Sequence, residues 1–487
     1  MSNQRKKQKD YLQRLREGES LRLRELCEMI LQLSLPAIMA QISTIIMQYI
    51  DASMVGRLGA GGSAAIGLVS SSTWLFGGIA MAAGMGFSVQ CAQRIGAGDE
   101  ADARNLMRQG MRMMLIVAAV MGAVGVFCSS WLPGWLGGGP EICGDASRYF
   151  LVFALFFPVE RLNYIGGSFL QATGNMLLPG ILHVMMCVLD EIFNAFLIFG
   201  EWTLPVAGIV MPGAGLGVAG AALGTGLARL CSMCVMLWYL YFRSPVLHLR
   251  EGEKMRFRRD QILRSLQIAL PVAVENVVMN SAQIASTKIV APLGTVSVAA
   301  NSLSVTAESL CYMPGYGIAA AATAVIGQCI GAGRYRTTRR VGWITTFLGM
   351  GVMTLSGLLM FLFAPQMIGF LSPDPQVVAL GTRVLRIEAF AEPMFAAQIV
   401  SAGVMRGGGD TFVPALFCLG TMWCIRIPLA MLLAPRIGLR GVWIAMCIEL
   451  CVRGVLFLLR QAQGIYLRGG SHTGSHTGPH RGRFQCH

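Results

Sequence analysis

The chain has little charge. Only 13% of its 487 residues are Asp, Glu, Lys or Arg, about half of the roughly 25% in soluble domains, so a water-soluble globular fold is excluded. No Gly-x-x-x-x-Gly-Lys-Ser/Thr loop is present, which excludes ATP hydrolysis within the chain. The Gly-rich run GGGD at 407–410 follows a membrane segment and lacks the lysine and hydroxyl, so it reads as a tight interhelical turn. His183 is the one histidine in an apolar segment; without a second histidine, neither a metal pair nor a nucleophile–base pair can be assembled in the membrane, and no enzyme is expected. No signal peptide is expected either, because the first 28 residues are polar and the next apolar stretch is as long as a span. The fourteen cysteines are scattered. Cys231 and Cys234 form a C-x-x-C inside the continuous apolar segment ARLCSMCVMLW without flanking histidines, and they read as buried small hydrophobes.

What the sequence does hold is apolar surface, 54% of residues, with 59 glycines. About twelve spans of roughly 22 residues absorb nearly all of it, and abundant glycine suits helices that approach closely in lipid. Lys and Arg outnumber Asp and Glu by 39 to 25. The excess clusters at Arg5 to Lys9, Arg250 to Arg264 and Arg334 to Arg340, the positive-inside signature of a cytoplasmic face. A basic face for nucleic acid would need a soluble fold, so no nucleic-acid partner is expected; the partner is the bilayer. The expected location is the inner cell membrane, multi-pass, with both termini cytoplasmic.

Spans are expected near 28–50, 63–91, 113–136, 147–170, 177–199, 214–242, 262–290, 297–330, 341–369, 377–405, 411–434 and 438–461. The polar segment 243–261 divides them six and six. The organisation is a cytoplasmic segment 1–27, an N-lobe 28–242, a linker 243–261, a C-lobe 262–462 and a Gly/Ser/His-rich tail 463–487 read as disordered.

An internal repeat recurs at an offset of 235. LSLPAIMAQ around Pro36 matches IALPVAVEN around Pro271, and Leu58-Gly59 falls on Leu293-Gly294. QRIGAG at 93–98 matches QCIGAG at 328–333, and LQATGNMLLPG at 170–180 matches MRGGGDTFVPA at 405–415. Four anchors in one register make two homologous halves. Six spans per half give both the same orientation, so the pseudo-twofold axis lies along the membrane normal with a cleft between the lobes. The fold class is therefore an all-α polytopic membrane protein, twelve transmembrane helices in two pseudo-symmetric six-helix bundles arranged as a V.

These motifs, in this order and in both halves from about residue 28 to 462, together with RIPLAMLL and GLRGVWIA near the end, resemble the multidrug and toxic compound extrusion (MATE) family, prokaryotic type. The resemblance implies a monomeric secondary antiporter that exports cationic or amphipathic small molecules in exchange for Na⁺ or H⁺, with no other cofactor. It further implies that acids in the first and fifth helices couple the cation. A lipid-linked precursor flippase of related fold is the alternative, but that function favours a strongly basic cleft.

Carboxylates at membrane depth cost about 2.5–3.5 kcal/mol and need a reason. Asp190 and Asn194 are four residues apart, on one helix face; with Asp51 and the neighbouring Glu191 they form the expected cation-coupling set, Na⁺ or H⁺ at Asp51 and Asp190. Glu275, Asn276, Asn280 and Gln283 make a polar stripe on the seventh helix, expected to line the substrate cleft with Asn163 and Gln48; Met279 stands where many family members carry a glutamate. Pro36 and Pro271 remove backbone donors inside the first and seventh helices and are candidate hinges. An arginine in the bilayer needs an anion, so Arg426 is expected to pair with Glu388 or Glu392. Glu308 and Glu449 are further acids at membrane depth.

Overall fold

The computed structural model describes residues 11–14, 22–203, 210–250, 253 and 256–467. The basic cluster at 5–9, part of the linker and the tail from 468 lie outside the described residues. Continuous apolar sequence leaves intrachain hydrogen bonding as the way to satisfy backbone polar groups in lipid, and the chain answers with helices. They are α1 (Leu23–Gly56), α2 (Ala60–Gly96), α3 (Glu100–Cys128), α4 (Pro140–Ala172), α5 (Leu177–Ile198) and α6 (Gly217–Trp238), then α7 (Arg259–Val290), α8 (Thr295–Gly331) and α9 (Tyr335–Leu371). The tenth is in two pieces, α10a (Pro375–Glu388) and α10b (Glu392–Gly408); α11 (Phe412–Ile437) and α12 (Leu439–Gln463) complete the set. Among the described residues, eleven helices are long and apolar enough to cross a membrane unbroken; the tenth crossing is the divided one. A two-stranded backbone hairpin, Glu201–Thr203 with Val210–Pro212, joins α5 to α6.

The third helix departs most from expectation. It starts at Glu100, not 113, and ends at Cys128, followed by a short helical turn at Leu132–Trp135. Hydropathy missed its first three turns because they carry Arg104, Arg108 and Arg112, but Asp99 caps the helix by accepting from the Asp102 amide at 3.0 Å. Arg104 and Arg108 are met from outside the helix. Arg104 Nη2 lies 2.6 Å and Arg108 Nη2 2.9 Å from the Glu253 carboxylate, and Asn105 exchanges two hydrogen bonds with the Arg256 backbone. The linker is thereby strapped to α3.

The arginine hydrogen bonds hold the Glu253 carboxyl below the usual carboxylate range. Because that value is lowered by folding, the strap is at full strength above pH ~4 and is lost only as pH falls through the lowered value. Glu253→Gln should release it at neutral pH. Tryptic cleavage after Arg256 to Arg259 is then expected to speed up about tenfold, the worth of charge-assisted hydrogen bonds; an unchanged digestion rate would show that the strap holds nothing.

Helices α1–α6 and α7–α12 form two lobes that meet through α1 against α8, α2 against α7, and α2 against α8. Swapping each helix with its repeat exchanges the first two contacts and leaves the third unchanged, as a pseudo-twofold requires. Inter-lobe hydrogen bonds run from Asn276 Nδ2 to the Gly78 carbonyl at mid-depth (3.3 Å) to the end of the bundle that bears the linker, here termed the linker face. Large exposed hydrophobics such as Phe370 (92%) and Leu270 (66%) ring the outside, as a lipid-facing surface demands.

Candidate functional site

On α5 the buried positions Pro179, Leu182, Met186, Asp190, Asn194 and Ile198 recur every three or four residues, so Asp190 and Asn194 ride the stripe that helical periodicity turns into the N-lobe. Both are completely buried. Asn194 Nδ2 donates to Asp51 Oδ1 at 2.8 Å and to Asp190 Oδ1 at 3.4 Å. One amide thus bridges two carboxylates from helices distant in sequence. Asp190 Oδ2 and Asn194 Oδ1 are left buried without a hydrogen-bond partner, as are both oxygens of Glu191. The tightness of the site depends on Gly224 of α6, where a Cβ would collide with Asn194 Oδ1. Oxygens with unspent lone pairs beside two carboxylates can bind a proton or a small hard cation.

Beside this triad, Glu160 of α4 is held by Arg161, its neighbour in sequence, and by Arg229 Nη1 of α6 at 2.9 Å; Arg161 also donates to the Gly77 carbonyl at 2.9 Å. Arg229 and Thr225 face Asp190 from α6. Neither was singled out from sequence, although an arginine inside GLARLCSMCVMLW was signal enough. Asn163 accepts from Ser232 Oγ at 3.3 Å between α4 and α6, and Gln48 is exposed. Cys231 and Cys234 are exposed free thiols, not buried ones.

The polar stripe of α7 divides. Asn276 crosses to the N-lobe, Asn280 Nδ2 donates back to the Asn276 carbonyl at 2.8 Å, and Gln283 is exposed. Glu275 turns instead into the C-lobe, 3.7 Å from Arg406 Nη2, and accepts from Cys418 Sγ at 3.3 Å. It is therefore a paired interior acid.

At the candidate hinges, a Cβ on Gly180 or Gly317 would crowd the backbone at Pro36 and Ile38 respectively, so α5 and α8 grip the proline turn of α1 from two sides. One turn before Pro271, Thr411 Oγ1 donates to the Ile268 carbonyl at 3.0 Å.

The expected pairing of Arg426 with Glu388 or Glu392 is not formed. Arg426 Nη2 lies 2.7 Å from Met446 Sδ, and Nη1 3.8 Å from Met422 Sδ. Glu388 and Glu392 are fully buried, and none of their carboxylate oxygens has a hydrogen-bond partner. Two interruptions explain the difference. The chain breaks at Ala389–Ala391, between the two acids, and α11 carries a π-turn at Met422–Arg426 just before Pro428, whose missing N–H disturbs the ladder. Spacing arguments assume straight helices, and both partners sit where the helices are not straight. Glu308 and Glu388 lie within the field of Arg426, and Glu388 also within that of Glu449, which pairs with Arg453 at 3.3 Å.

Under the 235-residue offset, Glu388 and Glu392 fall on Phe153 and Phe157, which pack in the N-lobe with Phe76 and Phe150 at centroid separations of 5.7–6.0 Å. The architecture accepts hydrocarbon at these positions, so the C-lobe acids are not a requirement of the fold.

The MatE family model matches residues 36–196 and 271–432. The chain is 25% identical over 442 residues to a probable multidrug resistance protein NorM of Thermotoga maritima, covering 89% of this chain and 92% of that protein. It is 26% identical over 458 residues to the multidrug resistance protein PmpM of Pseudomonas aeruginosa, covering 92% and 93%. Its fold superposes on the crystal structure of a Vibrio cholerae MATE transporter, VcmN, with a TM-score of 0.84 at 20% identity, over 91% of this chain and 98% of that one.

Proposed function

Because the chain belongs to the MatE family, we propose that it is a multi-pass membrane transporter that exports cationic or amphipathic small molecules in exchange for Na⁺ or H⁺, by alternating access between its two lobes. The linker face is the cytoplasmic one, where the Lys and Arg excess gathers. The observation that carries the exchange is the Asp51–Asn194–Asp190 triad, with an unpartnered oxygen on Asp190 and another on Asn194. Two carboxylates at membrane depth with unused lone pairs are costly unless they bind a cation in part of a cycle. Binding of that ion from the outer side favours release of cargo; its loss toward the cytoplasm resets the site.

Export of cations is favoured over carriage of anionic headgroups because the intramembrane arginines are largely spoken for. Arg161 and Arg229 share Glu160, Arg406 faces Glu275, and Arg453 faces Glu449. Each of these four faces a carboxylate, and Arg426, which pairs with none, is enclosed by Met422 and Met446. The test is efflux of a fluorescent cation from proteoliposomes under a sodium gradient alone and then a pH gradient alone. One of the two should drive efflux well above the leak; if neither does, the antiport reading fails.

A further inference from the structure

The repeated Q-x-I-G-A-G motif ends α2 and α8, and the function above makes no use of it. The structure brings its two copies together. Gly96 lies so close to the Gln328 carbonyl, and Gly331 to the Gln93 carbonyl, that a Cβ on either glycine would overlap that oxygen. The two helix backbones are thus in direct contact at the linker face, each glycine meeting the glutamine of the other copy. The glutamine side chains also cross. Gln93 Nε2 of the N-lobe donates to the Gly407 carbonyl at the end of α10b (3.1 Å), and Gln328 Nε2 of the C-lobe donates to the Ala172 carbonyl at the end of α4 (2.6 Å). Both glutamines are buried, at 4% and 2% exposure. One offset relates all three pairs, since 93 and 328, 96 and 331, and 172 and 407 are each 235 apart.

We propose that these two helix ends form a reciprocal inter-lobe clasp, with Gln93 and Gln328 as positioning residues that hold the linker-face gate closed. The proposal rests on the alternating-access reading. Any motion that opens a passage between the lobes at this face must pull α2 from α8 and break both amide bonds, whereas the bonds inside each lobe survive. A fold needing only close packing here would be served by the glycines; buried amides spent on carbonyls of the opposite lobe specify one docked arrangement, because leaving them unpaired is costly. The crossing is therefore a latch of defined strength.

Cys329, next to Gln328, is 3% exposed in the clasp and serves as the reporter. The experiment measures alkylation of Cys329 by a membrane-impermeant maleimide in the purified full-length protein, read by peptide mass spectrometry with neither substrate nor gradient. Gln93→Ala with Gln328→Ala is expected to raise the rate about tenfold relative to the unaltered protein, as loss of amide hydrogen bonds implies. Each isosteric single variant, Gln93→Met or Gln328→Met, should give an intermediate rise and serves alone if the double variant folds poorly. Thr323→Val, which removes a bond from α8 to the Gly403 carbonyl within one lobe, should leave the rate unchanged. The clasp is overturned if the glutamine variants leave Cys329 protected, or if Thr323→Val exposes it equally. Because no transport is measured, this outcome is separate from failure of the antiport reading.

Discussion

Asp190→Asn should reduce gradient-driven efflux of a fluorescent cation to the vesicle leak while the protein inserts normally and gains stability. Asparagine keeps the shape of the side chain, so the Asn194 bridge to Asp51 can persist, but the position loses both its negative charge and its ability to take a proton. The gain follows because Asp190 is completely buried with one oxygen unpartnered, and a carboxylate at membrane depth costs about 2.5–3.5 kcal/mol. A destabilising group retained at a buried position is the signature of function held against stability. Melting of the detergent-solubilised protein and proteoliposome efflux, measured together, check both halves. Unchanged efflux would remove Asp190 from the mechanism, and a lower melting temperature would show that the carboxylate is structural.

Arg453→Met should be the most destabilising of the conservative substitutions in the C-lobe. Arg453 and Glu449 are 1% and 0% exposed and lie four residues apart on α12. Removing the cation strands Glu449 in a region that already holds Glu388 and Glu308, with Arg426 to offset them. Breaking a buried pair from one side costs about 3–5 kcal/mol, whereas replacing both members with apolar residues is often neutral or better. Arg453→Met with Glu449→Leu should therefore recover most of the stability. Thermal unfolding of the two variants decides the matter; a single variant that unfolds like the parent would mean that Glu449 carries no charge to strand.

The candidate site was legible in part, and the parts that were missed share a cause. Asp190 and Asn194 could be placed on one face because four residues make about one helical turn, and α5 is straight. Their meeting with Asp51 concerns two helices whose aspartates stand 139 positions apart, and no local spacing encodes it. Glu275 shared a stripe with Asn276, yet neighbours on a helix differ by about 100° in direction, and it turned into the C-lobe while Asn276 crossed to the N-lobe. The pairing of Arg426 failed for a different reason. The gap at Ala389–Ala391 and the π-turn before Pro428 each shift a register that periodicity treats as fixed. The early start of α3 escaped because Arg104 and Arg108 are neutralised by the linker, a partner some 150 residues away.

Sequence alone determined that this chain lives in lipid, that it is helical, and that it is two copies of one six-helix unit. Those conclusions need only composition and periodicity, since a bilayer offers no other solvent for so much apolar surface and leaves helices as the way to pair its backbone. Which acids meet, which arginines they neutralise, and that the two Q-x-I-G-A-G ends grip each other were decided only when the lobes packed. Such contacts depend on distances of a few ångströms between helices remote in sequence, and those distances are set jointly by every glycine, proline and break along the way.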